Sequence, residues 1–454
     1  MTDLFDWTAP GAKPFGGEYP RIGVHPPGPK AQDIIDRDAE YSSTSYIKEY
    51  PLAVSHGQGA VIEDVDGNRY IDFMAGIAVA STGYSHPKVV EAVREAAGKF
   101  FHICGTDFYY EGMSSLVTRL ANSGIGPSKK RVFLTNSGTE AVEGAIKLVR
   151  SSTRRGQIIA FRGAFHGRTY GAMSLTSSKA KQRAYFGPML PGIHHLPYPN
   201  AYRMSEDGSD PGGMVLCELQ GMFNRHVAPD EVAAIFIEPM LGEGGYVIPS
   251  QRFIQGLRDV CDQHGILLVF DEVQTGVGRT GHMWAADYYG VEPDVLLTAK
   301  GLGSGMPIGA IIAKESVMKW ATGSHGSTFG GNPVACASAL ATLDLIEGGL
   351  LDNVNAMGER MLAGLRKLQE KHECIGDVRG AGLYIGVEFV KDRVGKAPAK
   401  ELVHKLGQLA FTKGLLLLSC GASVIRIAPP LVINAYDVDK GLEILDACLT
   451  ELTA

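Results

Sequence analysis

Apolar and polar positions change period repeatedly along the chain, and each change marks an element. Short apolar runs at 132–135, 158–161, 233–238, 266–271 and 295–298 have the length of buried strands. Between several of them, apolar residues recur three and four positions apart. In 250–264, Phe253, Leu257, Val260 and Cys261 share one helical face, and Gly265 supplies the C-terminal stop. Residues 61–72 read as a hairpin turning at Asp66-Gly67. Helical patterns also cover 30–42 and 333–346. Strands alternating with helices predict an α/β fold with a mainly parallel sheet covered on both faces. Residues 8–30, rich in Pro and Gly, read as an extended arm, and 200–222 as a surface loop. From about residue 350 the mixture of elements changes and predicts a smaller α+β domain.

Composition narrows this picture. A chain of 454 residues has room for two or three domains and a sizeable core. The net charge of −6 points to neither nucleic acid nor an anionic membrane. The 7 cysteines are odd in number and form no Cys-x-x-Cys pair, which fits a reducing cytoplasm better than a disulfide framework or a structural zinc site. The start has no basic stretch followed by an apolar one, so no signal peptide is read. No apolar run reaches membrane-spanning length. The 13 histidines show no His-x-x-x-His or His-Glu-x-x-His spacing, so no catalytic metal is expected.

Four segments carry candidate chemistry. Lys300 ends the run Asp294-Val295-Leu296-Leu297-Thr298-Ala299 and is followed by Gly301-Leu302-Gly303. Lysine is seldom fully buried without a partner. A desolvated lysine loses its charge and becomes a nucleophile towards a carbonyl cofactor. The plain alternative is a lysine capping a strand end in solvent. Ser137-Gly138-Thr139 follows a strand and opens a helix, which makes an anion site, or equally an ordinary cap. Asp271 stands at the carboxyl end of an apolar strand, where open α/β sheets place ligands. A carboxylate buried there needs a cationic partner such as a protonated pyridine nitrogen, unless it too is only a cap. Phe165 and Arg168 share a glycine-rich loop. Together they suit a flat ring and a carboxylate. Taken singly they read as a core residue and a surface charge. Gly276-Val277-Gly278-Arg279-Thr280-Gly281 matches a dinucleotide fingerprint by letter, but it trails Asp271-Glu272 and holds an arginine, so it reads as a turn-rich loop.

In this order the pieces resemble the class III (subgroup II) aminotransferases of pyridoxal-phosphate fold type I, the aspartate aminotransferase-like fold. The resemblance runs from about Tyr50 to the end. It rests on Asp72-Phe73-Met74-Ala75-Gly76-Ile77, Asn136-Ser137-Gly138-Thr139-Glu140, Phe165-His166-Gly167-Arg168-Thr169, Glu238-Pro239-Met240-Leu241-Gly242-Glu243-Gly244-Gly245, Asp271-Glu272-Val273-Gln274, Lys300-Gly301, Ser327-Thr328-Phe329-Gly330-Gly331-Asn332-Pro333 and Gly414–Gly421. It implies an N-terminal arm and joining segment over 1–75, a large cofactor-binding domain over 76–335 and a small domain over 336–454.

The resemblance also implies roles. Lys300 carries pyridoxal 5'-phosphate and moves the substrate's α-proton. Asp271 pairs with the ring nitrogen, Val273 and Phe165 pack on the two ring faces, and Gln274 reaches the ring hydroxyl. Ser137, Gly138 and Thr139 hold the phosphate, and His166 and Glu238 complete the cofactor site. Thr328 reaches the phosphate of a neighbouring subunit, which implies a homodimer or a dimer of dimers with shared active sites. The nearest likeness is to 4-aminobutyrate aminotransferases. There Arg168 binds the distal carboxylate of an ω-amino acid, Arg426 an α-carboxylate, Glu243 neutralises Arg426 when that carboxylate is missing, and Ile77 lines the pocket. The expected reaction passes an amino group from such an ω-amino acid, or from an α-amino acid, to a 2-oxo acid such as 2-oxoglutarate. Leu241 and Gly144 depart from the pattern. Thr106-Asp107-Phe108-Tyr109-Tyr110-Glu111 and His194-His195-Leu196-Pro197-Tyr198-Pro199-Asn200 resemble an archaeal-type branch that includes amino-acid racemases, so racemisation is the alternative reaction. It requires a second acid–base group.

Overall fold

Two separate units form in the computed structural model, which describes residues 14–205 and 208–453. Lys88–Leu351 makes one unit, and the chain up to Pro87 joins the chain from Asp352 onward in the other. Part of the expected arm, 8–13, and two residues of the expected loop, 206–207, lie outside the described residues.

The N-terminal segment of the split unit folds as β1 (Val54–Gln58), β2 (Val61–Asp64) and β3 (Arg69–Asp72). β2 and β3 pair antiparallel around Asp66-Gly67, and Gly67 takes φ 86°, a conformation glycine adopts without strain. Arg21 of the arm bridges to Arg69, and the expected helix forms as Pro29–Tyr41.

The continuous unit holds a seven-stranded sheet. Its strands are β4 (Lys130–Thr135), β5 (Gln157–Phe161), β6 (Ile193–Leu196), β7 (Val232–Ile237), β8 (Leu267–Asp271), β9 (Val295–Thr298) and β10 (Gly309–Lys314). They lie in the order β4-β10-β9-β8-β7-β5-β6. Every pairing is parallel except those of β10, which runs antiparallel to both β9 and β4. The carboxyl ends of β4, β5, β7, β8 and β9 therefore share one edge. The helix Gly138–Thr153 buries Val142, Ala145, Ile146 and Val149 against Ile158, Phe236, Val269, Leu297 and Ile311. Full burial of each valine, isoleucine, leucine or phenylalanine among them is worth about 1.5–3 kcal/mol.

Three places correct the sequence reading. The segment 200–222 is largely helical: Ala201–Met204, then Pro211–Arg225. Asp210 caps the second helix through Gly212 N, Pro211 opens it, and Val215, Leu219 and Phe223 are buried at four-residue spacing. The polar start of the segment hid that stripe. β6 and β10 went unread: β6 carries His194 and His195 in its middle, and β10 mixes small Gly309, Ala310 and Ala313 with its two isoleucines. The helical stretch from Pro333 runs on to Lys371 and is long and apolar enough, by length and composition, to cross a membrane. Its Val334, Ala335, Cys336, Ala339 and Leu343 are buried in the protein.

The split unit closes with β11 (Ile375–Ala381), β12 (Tyr384–Phe389), β13 (Leu415–Leu416), β14 (Leu418–Cys420) and β15 (Val424–Ile427). β13 pairs parallel with β3, and β11-β12-β15-β14 form an antiparallel sheet.

Candidate active site

Asp271 is the last residue of β8, and its Cα lies opposite Leu297 of the neighbouring β9. Three residues beyond Leu297 comes Lys300, so both residues lie at the same sheet edge. Lys300 is half-buried and opens a single turn of helix, Lys300–Leu302, with φ 41°. Positive φ in a residue with a side chain is strained, and strain of this kind concentrates at functional positions.

Asp271 is buried against an imidazole. Its Oδ2 accepts from His166 Nδ1 at 2.7 Å, and its Oδ1 accepts from Val273 N at 3.1 Å. His166, also buried, follows β5, and its backbone N donates to Thr176 Oγ1 at 2.8 Å. Burial opposes the charged imidazole. The hydrogen bond and charge of Asp271, with the charge of Glu238, outweigh burial and hold His166 above its ordinary value. Glu238 stands one residue past β7. Its two oxygens accept from Phe165 N at 2.7 Å and Gly242 N at 2.8 Å. Burial pushes its carboxyl up to about 7, Asp271 adds to the rise, and His166 and the two backbone bonds oppose it. Glu238 thus ties the loop carrying Phe165 to the loop carrying Glu243.

The seat at the end of β4 is built from backbone. Ser137 caps the helix Gly138–Thr153 through Glu140 N at 3.3 Å. Helix geometry leaves the N–H groups of the first turn without intrahelical partners, and the dipole favours an anion there. A Cβ on Gly138 would lie 2.8 Å from both methyls of Val273, and one on Gly309 would lie 2.8 Å from Ser137 O. Only glycine lets these backbones and Val273 meet. Thr139 Oγ1 lies 2.8 Å from Thr169 Oγ1. The free donors, two hydroxyls, a buried carboxylate and the Val273 and Phe165 side chains fit a flat ring bearing a phosphate and a basic nitrogen.

Gln274 is held by a residue the sequence reading missed. Tyr246 is buried, and its hydroxyl donates to Gln274 Oε1 at 2.5 Å. Tyr246 directly follows the glycine-rich stretch Gly242-Glu243-Gly244-Gly245, but the contact spans 28 positions and no spacing announces it. The Arg168 guanidinium lies 5.5 Å from the Phe165 ring centroid, exposed to solvent. Glu243 lies 3.9 Å from Lys179. Thr328 sits on an exposed loop. Ile77 and Arg426 belong to the other unit. Ile77 is 44% exposed with φ 68°, and Arg426 is buried on β15. The segment Gly276–Gly281 is a run of turns with Arg279 buried, and no helix opens from it.

The whole of 43–449 matches the family model "Aminotransferase class-III". An alanine/serine racemase of Pyrococcus horikoshii is 42% identical over 96% of this chain and 93% of its own length. A 5-aminovalerate aminotransferase of Pseudomonas aeruginosa is 43% identical over 89% of this chain and 94% of its own. A 4-aminobutyrate aminotransferase of Mycobacterium tuberculosis is 38% identical over 95% and 98%. The crystal structure of an omega-transaminase from Thermomicrobium roseum superposes with a TM-score of 0.87 at 31% identity, covering 93% of this chain and 99% of that one. The chain belongs to the class-III aminotransferases, which depend on pyridoxal phosphate.

Proposed function

We propose that the chain transfers the amino group of an ω-amino acid with a distal carboxylate, such as 4-aminobutyrate or 5-aminovalerate, to a 2-oxo acid. The observation that carries this reading is the placement of Arg168 over Phe165. It sets a positive charge beside Phe165, the residue that the resemblance puts on a face of the cofactor ring, and a short ω-amino acid with its amine at Lys300 would offer its far carboxylate to that charge. The names of two relatives support the same donors. Bound pyridoxal phosphate supplies a carbonyl for the amino group and a ring that draws electrons from the substrate carbon. Lys300 holds the cofactor and moves the proton. Asp271, backed by His166, keeps a negative charge at the ring nitrogen. Ser137, Gly138 and Thr139 hold the phosphate, Val273 and Phe165 confine the ring, and Gln274 meets its hydroxyl. Glu243, Arg426 and Ile77 keep the substrate roles that the resemblance gives them.

The same reading takes the working form as a homodimer in the cytoplasm. Phe101, Tyr109 and Phe329 are exposed to 74%, 105% and 60%, a costly display of aromatic surface for a monomer. All seven thiols are free.

A donor panel tests the substrate. 4-Aminobutyrate, 5-aminovalerate, ornithine, acetylornithine, lysine and alanine are each supplied with 2-oxoglutarate or pyruvate. Turnover confined to α-amino acids overturns the proposal. The racemase and epimerase relatives support a second reading on the same scaffold. Incubation with one L-amino acid and no oxo acid separates the two, since only racemisation erases optical activity over many turnovers. Borohydride reduction followed by peptide mapping tests the anchor: the cofactor is expected on Lys300.

A further inference from the structure

Gly144 sits mid-helix, where glycine costs about 1 kcal/mol relative to alanine. Its use lies in what occupies the space. A Cβ there would stand 2.5 Å from Ile311 Cδ1 and 3.1 Å from His325 Nε2. Ile311 and the imidazole of His325 share the slot, the imidazole centroid 4.8 Å from that of Phe133 and 4.7 Å from that of Trp320. Lys147, three residues further along the helix, places its Nζ 2.9 Å from His325 Nδ1 and 3.3 Å from Ser324 O. An ammonium only donates, so Nδ1 must accept, and the imidazole is neutral with its hydrogen on Nε2. Two residues on, Ser327 is held on three sides. Its Oγ accepts from Asn136 Nδ2 at 3.1 Å and Gly330 N at 3.0 Å, and its carbonyl accepts from Thr106 Oγ1 at 3.3 Å.

We propose that Gly144, Lys147 and His325 form a latch that fixes the loop carrying Ser327 and Thr328 to the helix whose N-terminus seats the phosphate. His325 is then a positioning residue for that seat. The proposal rests on reading Ser137-Gly138-Thr139 as the phosphate site. It also predicts acid sensitivity from geometry. A proton on Nδ1 would turn the acceptor into a second donor facing an ammonium. The charged groups facing His325 are Lys147 and Glu140: burial first, then Lys147, hold its pKa below the ordinary value, and Glu140 works the other way. The latch is whole above the ordinary histidine pKa and is lost as pH falls through the lower folded value.

The test uses the purified holoenzyme and two readouts between about pH 8 and pH 5. The first is cofactor release followed by absorbance. The second is the emission of Trp320, taken as wild type minus Trp320→Phe. His325→Phe keeps a ring in the slot but cannot titrate. We expect wild type to release cofactor about tenfold faster relative to His325→Phe at the acid end than at the alkaline end. The Trp320 signal should step over the same interval and the step should vanish in His325→Phe. Lys147→Met, which removes the facing charge, should move the step to higher pH. A constant release ratio, or a step that survives in His325→Phe, overturns the latch. The fluorescence step is readable with the cofactor stripped, so failure of borohydride to place cofactor on Lys300 would sink the site reading while leaving this test standing.

Discussion

His166 Nδ1 meets Asp271 Oδ2 at 2.7 Å, and both side chains are shut away from solvent. The pair gives the carboxylate at the end of β8 a hydrogen-bond donor and a fixed direction. Removing one partner of a buried pair costs about 3–5 kcal/mol, because the other charge is left uncompensated. His166→Phe fills most of the volume and removes the nitrogen. It is expected to lower stability in urea unfolding by that order. It should also cut kcat about a hundredfold through misplacement of Asp271, with little change in KM. Wild-type kcat in a folded His166→Phe enzyme would falsify the positioning role.

Glu238 predicts a pH dependence of opposite origin to acid denaturation. Its carboxyl is raised from 4.5 to about 7 by burial. Between those values the folded state binds a proton that the unfolded chain has lost, so this group's contribution to stability falls as pH rises. Glu238→Gln removes the titration. It also sets an amide N–H against one of the two backbone donors from Phe165 and Gly242, at a cost of about 1–3 kcal/mol. The gap between wild type and variant, measured by urea unfolding from about pH 5 to pH 8, should shrink as pH rises. A gap that is flat across that range counts against a raised Glu238.

Gly138 and Val273 make a two-residue test of the phosphate seat. A Cβ at Gly138 meets Val273 at 2.8 Å, too close for either side to absorb. Gly138→Ala should destabilise by about 1–3 kcal/mol and weaken cofactor retention. Val273→Ala clears the space, so the double variant should recover part of the loss in retention. Because the two residues touch, their effects must be non-additive. Additive losses in a double-mutant cycle would mean that the contact does not shape the seat.

Some of this was legible in the chain and some was not, for physical reasons. β7 and β8 read clearly because buried parallel strands are near-continuous apolar runs, and Val232–Ile237 is buried at every position. Lys300 and Asp271 stood out because charged residues abut such runs, but the runs alone left each open to a plain strand-end or cap reading, and their roles came from the resemblance. The helix Pro211–Arg225 did not, since its stripe of Val215, Leu219 and Phe223 is interleaved with Gly212, Gly213 and Gly221. The supports were harder still. Tyr246 on Gln274, Thr176 on His166, and His325 in the space left by Gly144 are contacts between residues distant in sequence, and neither period nor spacing encodes them. Gly144 stood out in the sequence only as an odd residue. The structure explains it as the absence of a side chain where Ile311 and an imidazole pack.

The proposed choice of donor stands on Arg168. Its guanidinium, a planar cationic fork, lies 5.5 Å from the Phe165 ring. A carboxylate held there gains a charge-assisted, bidentate contact of about 1.5–3 kcal/mol, or roughly ten- to a hundredfold in affinity. Arg168→Met keeps the apolar stem over Phe165 and removes the charge. It should raise KM for 4-aminobutyrate and 5-aminovalerate by that factor and leave KM for alanine, which has no distal carboxylate, within about twofold. Arg168→Lys keeps the charge but not the planar fork, so it should fall between the two. If alanine suffers as much as the ω-amino acids, Arg168 supports the Phe165 loop instead of reading the substrate. The ω-amino-acid reading then loses the contact on which it stands.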